Sequence, residues 1–374
     1  MRFLAFLALC CLSVLARAQT LPQAPTIAAK SWLLLDYSTG QALASYNPDD
    51  RVEPASLTKL MTAYVVLGAL KEGRLKPDQA LPVSERAWKT PGSRMFIEPK
   101  KPVTVDELLR GMIVQSGNDA CIALAEAVAG SEEAFAQMMN REAQRLGLKA
   151  TRFANATGLS DPQHYSTARD LGALAAALIR DFPEHYPLYA LREYTYNRIT
   201  QANRNRLLWL DPAVDGVKTG HTENAGYCLV ASAKRGPRRL LSVVMGAASD
   251  GMRTQESQKL LNFGFQFFDS VKLYGKDQEV SRLRVWKGAQ NTVRAGFLED
   301  FTLSLPKGMA ENLKASLVSQ QPLLAPVLKG QRIATLKLSL DDRPYGEYPV
   351  VALETVPVAG MIGRAWDAMR LWFE

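Results

Sequence analysis

The sequence is poor in residues that bind metals or cross-link chains: 3 His and 4 Cys among 374 residues. His164, His185 and His221 are widely spaced and no Cys-x-x-Cys occurs, which argues against a His/Cys metal centre. No Gly-x-x-x-x-Gly-Lys-[Ser/Thr] run is present, so a phosphate loop of that type is excluded. Beyond the N-terminus no run of about 18 uncharged apolar residues appears, which excludes a polytopic membrane protein. No dense Lys/Arg run occurs, and nucleic acid is not an expected partner. No cofactor is expected. What remains is an ordinary globular composition, 47% hydrophobic and 22% charged, at a length that suggests two domains.

Residues 1–18 read as a secretory signal peptide. Met1-Arg2 is a short basic start, residues 3–16 are apolar, and Ala16-Arg17-Ala18 is a small-x-small cleavage site. Export removes Cys10 and Cys11 and leaves Cys121 and Cys228, 107 positions apart. These are either two buried small apolar residues or one bridge in an oxidising compartment. Removing Arg2 and Arg17 lowers the net charge from +8 to +6. A moderately basic exported protein suits an anionic membrane surface or a polyanionic cell wall.

The pattern of residues 19–270 reads as an α+β domain. Residues 31–37 and 41–46 flank a Ser38-Thr39-Gly40 turn and predict a hairpin. Helical spacing begins at Ser56 and runs to Lys71. Thr104 and Glu107 form a capping box that opens a helix through Ile113. Further helices are expected over 119–128, over 131–146 with Gly147 as the stop, and from a Ser166 cap to about Arg180. Strands over 227–234 and 239–247 form a second hairpin, and a helix follows over 252–268. That order suits an antiparallel sheet with helices packed on it and a helical insert.

Residues 271–356 read as a small all-β domain. Six short apolar runs lie between 279 and 353, separated by turn signals such as Pro306-Lys307-Gly308. Residues 357–374 form an amphipathic helix with a stripe of Val358, Met361, Ile362, Ala365, Trp366, Met369, Trp372 and Phe373. It fits a peripheral anchor lying in a membrane interface, with a helix docked on the protein as the alternative.

Three short motifs carry candidate chemistry. Ser56-Leu57-Thr58-Lys59 opens a helix, and positions i and i+3 share a face, so Ser56 and Lys59 meet. A helix N-terminus supplies free N–H donors and positive potential. A serine nucleophile needs an adjacent base and oxyanion donors of this kind. An ordinary lysine is too basic to serve, but burial beside a second cation lowers its pKa. Ser116-Gly117-Asn118 lies between two helices and offers a hydroxyl and an amide to a cleft. Lys218-Thr219-Gly220-His221 precedes a predicted strand and offers the second cation, a hydroxyl, and a glycine that lets substrate approach the strand edge.

Ser-x-x-Lys, Ser-x-Asn and Lys-Thr-Gly in this order, spaced by 60 and 102 residues, resemble the signature of penicillin-binding proteins and serine β-lactamases. The surrounding residues, including Asn155-Ala156-Thr157-Gly158-Leu159 and 256–268, are most similar to low-molecular-mass D-alanyl-D-alanine carboxypeptidases. The resemblance covers the chain from about residue 26 to its end. It implies a penicillin-binding/serine β-lactamase-like domain, then the all-β domain and the anchor helix. It also implies removal of the terminal D-alanine from peptidoglycan stem peptides ending in D-Ala-D-Ala, with β-lactams as inhibitors, on the periplasmic face of the bacterial cytoplasmic membrane.

By position, the resemblance makes Ser56 the acylated nucleophile and Lys59 its base. Ser116 and Lys218 relay a proton to the leaving D-alanine, and Asn118 orients the substrate amide. The N–H groups of Ser56 and His221 form the oxyanion hole. Thr219 and an arginine bind the terminal carboxylate beside Gly220, and Arg253, just before the 256–268 run, is the candidate for that arginine. Other readings are a non-catalytic peptidoglycan-binding envelope protein, a β-lactamase or a cell-wall endopeptidase. No Glu-x-x-Leu-Asn loop of the class A β-lactamase type lies between Ser116 and Lys218.

Overall fold

Hydrophobic strands alternating in two directions build the central sheet of the computed structural model, which describes residues 22–361 and Asp367. The strand Ser31–Asp36 is buried along its whole length. Successive side chains face opposite ways. Leu33 and Leu35 therefore join Leu241 and Val243 in one core, whereas Trp32 and Leu34 join Leu240 and Val244 in another. Burial on both sides explains why this segment reads as one unbroken apolar run. Truncating Leu33 to Ala would cost about 2–5 kcal/mol.

The sheet has the order Ala42–Tyr46, Ser31–Asp36, Arg238–Ala247, Gly226–Arg235, Val214–Thr222, with every pair antiparallel. One face carries a helical block and the other carries the helix Asp250–Phe267. Gly264 lets that helix approach, since a Cβ there would lie 2.6 Å from Leu240 Cδ1. At the centre of the block stands the helix Lys59–Lys71, whose Leu60, Met61, Ala63, Tyr64, Val65, Val66, Leu67 and Ala69 are all buried. A helix apolar on all sides is a core helix. Its neighbours Asn118–Ala129, Glu132–Arg145 and Ala168–Asp181 enclose it and fix its first turn.

A third core belongs to the β-rich segment. Five antiparallel strands run in the order Glu279–Arg284, Thr292–Gly296, Arg343–Ala352, Arg332–Leu340, Leu313–Ser319. Phe268–Tyr274 pairs with Phe301–Pro306 beside them. The hydroxyls of Thr39 and Ser304 meet at 3.0 Å, and Gln41 Oε1 accepts the Ser304 N–H at 2.7 Å, tying the first hairpin to this segment.

Several boundaries differ from expectation for local reasons. The helix read from Ser56 opens as a 3₁₀ turn, Ala55–Thr58, before the α-helix starts at Lys59. The capping box at Thr104 and Glu107 is present, but the α-helix ends at Arg110 and a π-helical turn, Gly111–Gln115, delivers Ser116. Thr167, rather than Ser166, caps Ala168–Asp181, because the Ser166 backbone is paired with Val52. The helix read to Phe268 ends at Phe267, where a strand unread in the sequence begins. The signal peptide over 1–18, and residues 362–366 and 368–374 of the expected C-terminal helix, lie outside the described residues. Among the described residues no helix is long and apolar enough to cross a membrane.

Candidate active site

The three motifs converge on one cleft of about 720 Å³. Ser56, Ser116, Asn118, Thr219, Gly220, His221 and Arg253 all line it. The Lys59 side chain lies beneath, 1% exposed. Its Nζ is 3.0 Å from Ser56 Oγ, 2.8 Å from Asn118 Oδ1 and 2.6 Å from the Thr157 carbonyl oxygen. Burial pushes the Lys59 pKa below that of an ordinary lysine, and the Arg204 cation pushes the same way.

Two strained residues bracket this lysine. Ala55, next to the serine, has φ 49°, and Ser116 has φ 67°. Both lie in the left-handed region, at a cost of about 1–2 kcal/mol each. The Gly117 N–H donates to the Gly111 carbonyl at 3.1 Å and closes the turn that holds Ser116. Ser116 is 2% exposed, and its Oγ has no hydrogen-bond partner among the described residues. A buried hydroxyl left open in a cleft is poised for a ligand or a passing proton.

The expectation that Lys218-Thr219-Gly220-His221 precedes a strand is corrected. All four residues lie inside Val214–Thr222, because a short turn pairs Thr222 directly with Gly226. That register turns Lys218 inward, where it is 3% exposed and donates to the Thr219 carbonyl at 3.2 Å. Burial first, then the Lys59 and Arg204 charges, pull its pKa well below the ordinary lysine value. Gly220 crosses the serine turn: a Cβ there would lie 3.0 Å from the Pro54 carbonyl oxygen and 3.2 Å from the Ser56 nitrogen. Any side chain would therefore crowd the Ser56 N–H.

Arg253 reaches this strand from the helix Asp250–Phe267. Its guanidinium donates to the Gly220 carbonyl at 3.0 Å, to the Cys228 carbonyl at 3.4 Å and to Asp250 at 2.5 Å. Burial lowers its pKa, leaving a fixed cation in the cleft wall.

Sequence reasoning missed other contributors. Asp119 accepts the backbone N–H groups of Met95, Phe96, Ile97 and Ala120 at 2.9–3.2 Å, which anchors the wall beside Ser93. Asn118 fastens the same wall by donating to the Pro91 carbonyl at 2.7 Å. Arg204 and Arg206 also line the cleft, and Arg206 pairs with Asp250 at 2.6 Å. They follow the hairpin Glu193–Tyr196/Ile199–Ala202, whose signal is weak in the sequence. Among the described residues Cys121 and Cys228 are buried and not bridged to each other, which favours the reading as two buried small apolar residues.

A buried lysine held against a serine at a helix start, facing a Lys-Thr-Gly strand across a cleft, defines a serine acyl-transfer enzyme of the penicillin-binding fold. Comparison with known proteins narrows this class. The family model described as D-alanyl-D-alanine carboxypeptidase matches residues 18–249, and that of the penicillin-binding protein 5 C-terminal domain matches 268–358. The chain belongs to the D-alanyl-D-alanine carboxypeptidase family. It is 45% identical to the D-alanyl-D-alanine carboxypeptidase DacC of Escherichia coli, over 99% of this chain and 94% of that protein. The solved structure of penicillin binding protein 5 from Haemophilus influenzae superposes with a TM-score of 0.85 at 42% identity, covering 90% of this chain and 99% of that one. Penicillin-binding protein D2 from Listeria monocytogenes, solved in its ampicillin-bound form, matches 65% of this chain and all of its own, with 31% identity and a TM-score of 0.60.

Proposed function

We infer that this chain is a serine D-Ala-D-Ala carboxypeptidase that removes the terminal D-alanine of peptidoglycan stem peptides through an acyl-enzyme on Ser56. The observation that carries the reading is the buried Lys59 Nζ at 3.0 Å from Ser56 Oγ, with burial favouring its neutral form.

The proposed steps use this geometry. Neutral Lys59 takes the Ser56 proton as Oγ attacks the scissile carbonyl carbon. The oxyanion is held by the N–H groups of Ser56 and His221, whose strand Gly220 brings against the serine turn. The C–N bond then breaks, and the leaving D-alanine nitrogen takes the proton that Lys59 accepted from Ser56, relayed by Ser116 and Lys218, so that Lys59 is neutral again. Water hydrolyses the ester and frees Ser56. Asn118 orients the substrate amide, and Thr219 with Arg253 receives the terminal carboxylate, which the positive cleft favours. A β-lactam acylates the same oxygen and blocks the cycle.

The division into a leader (1–18), a catalytic domain (19–270), an all-β domain (271–356) and an anchor (357–374) belongs to the same reading. Separate cores and separate family matches support the two middle units. The apolar stripe of the tail, with Met361 80% exposed where the described chain runs into it, supports peripheral anchoring on the periplasmic face. Mass mapping of protein treated with penicillin tests the centre of the reading. The adduct is expected on the peptide containing Ser56 and nowhere else. An adduct on another residue, or none, would contradict it.

A further inference from the structure

The mechanism leaves one buried titratable side chain in contact with the nucleophile turn unused. His164 is 3% exposed and lies beneath the cleft. Its Nε2 is 2.7 Å from Thr58 Oγ1, and Thr58, itself buried, sits between Ser56 and Lys59. Its Nδ1 accepts the Ala154 backbone N–H at 3.3 Å. A backbone N–H can only donate, so Nδ1 carries no proton and Nε2 does. The Phe153 ring meets the imidazole edge-on at 5.7 Å, which fixes its plane. Burial agrees with a neutral ring, pulling its pKa down to about 4 against the opposing charges of Asp161 and Glu53.

His164 closes a loop that grips the catalytic turn at several points. Gly158 packs backbone to backbone against it: a Cβ would lie 1.9 Å from the Ala55 carbonyl oxygen and 2.9 Å from Thr58 Oγ1. The Thr157 carbonyl accepts from Lys59 Nζ at 2.6 Å, and the Ala156 carbonyl accepts from Thr62 Oγ1 at the same distance. Asn155 Oδ1 accepts the N–H groups of Thr157 and Gly158 and fixes the tip. Loop and turn thus share a small set of bonds, and two of them end on the residues Thr58 and Lys59.

We propose that His164 is a positioning residue for acylation: as the Nε2–H tautomer it donates to Thr58 Oγ1 and holds the loop and the nucleophile turn in the register that sets the Ser56–Lys59 distance. It lies beneath the cleft and is not one of the residues that line it. Its effect passes through Thr58 to the general base, whose alignment small displacements spoil.

This inference rests on the acyl-enzyme reading, and the test separates the two. Stopped-flow acylation by penicillin resolves the affinity before acylation from the acylation rate constant. His164→Phe keeps ring volume and removes the donor, and Thr58→Val removes the acceptor. Each is expected to slow acylation about tenfold, the scale of one lost buried hydrogen bond, with pre-acylation affinity unchanged. His164→Gln, whose amide N–H reaches the Nε2 position, recovers most of the rate. The double variant His164→Phe/Thr58→Val is no slower than either single one, because both remove the same bond. Rates within about twofold of wild type for Thr58→Val, or losses that multiply in the double variant, overturn the positioning role. Thr58→Val and His164→Gln carry the test if the Phe variant does not fold. A wild-type chain that takes up no penicillin at Ser56 overturns the acyl-enzyme reading, and this inference with it.

Discussion

Ser56 Oγ and Lys59 Nζ lie 3.0 Å apart, one helical turn from each other, with the lysine sealed beneath the cleft floor. In the proposed mechanism Lys59 is the base, and its burial is what favours the neutral form of a residue ordinarily protonated at neutral pH. Lys59→Arg is therefore expected to fold and still fail. Arginine keeps its charge at any working pH and accepts no proton. Penicillin acylation should fall by about 10²–10⁴-fold, the usual share of a general base. Near-normal acylation by Lys59→Arg would remove Lys59 from the base role.

The same burial predicts a pH dependence. The proposed base role needs neutral Lys59, and its pKa is lowered chiefly by desolvation. Acylation should rise with pH through that lowered pKa and level off above it. The midpoint should lie clearly below about 10.4, the value of a free lysine. A rate still climbing with full slope at that pH would mean that desolvation does not tune the base.

Arg253 is held by Gly220, Cys228 and Asp250, so its loss also disturbs the wall. A ratio isolates its ligand role. Wild type should prefer a peptide ending in a free carboxylate over the same peptide ending in an amide by about tenfold or more. In Arg253→Met that preference should largely vanish, whatever happens to the overall rate. An unchanged preference would assign carboxylate binding to another group, such as Arg204 in the same cleft.

Asp119→Ala would strip the acceptor from four backbone N–H groups. Those of Met95, Ile97 and Ala120 belong to buried residues. Leaving such donors unsatisfied should destabilise the fold by about 3 kcal/mol or more, measured by denaturant unfolding. Asp119→Asn keeps one acceptor oxygen and should fall between. A loss under about 0.5 kcal/mol for the Ala variant, typical of a surface position, would show that the loop has other anchors.

What was legible in the sequence is what local chemistry decides. The capping box at Thr104 and Glu107 and the i,i+3 pair Ser56 and Lys59 need only neighbouring residues, and both are present. The convergence of three distant motifs was legible only through a family resemblance, because no periodicity joins Ser116 to Lys218. Asp119 gives no local signal because three of its four partners sit more than twenty residues upstream. His164 read as one of three scattered histidines, since its meaning depends on Thr58, 106 positions away. Ser166 looked like a cap until its backbone was taken by Val52, a tertiary pairing that overrides a local preference.

The most direct measurement is free D-alanine released from a peptide ending in D-Ala-D-Ala, with Ser56→Ala alongside as a folded control. Release by wild type and none above background by Ser56→Ala is the expected result. Release that persists in the Ala variant, or no release from a wild-type chain that still binds the peptide, would contradict a Ser56 carboxypeptidase.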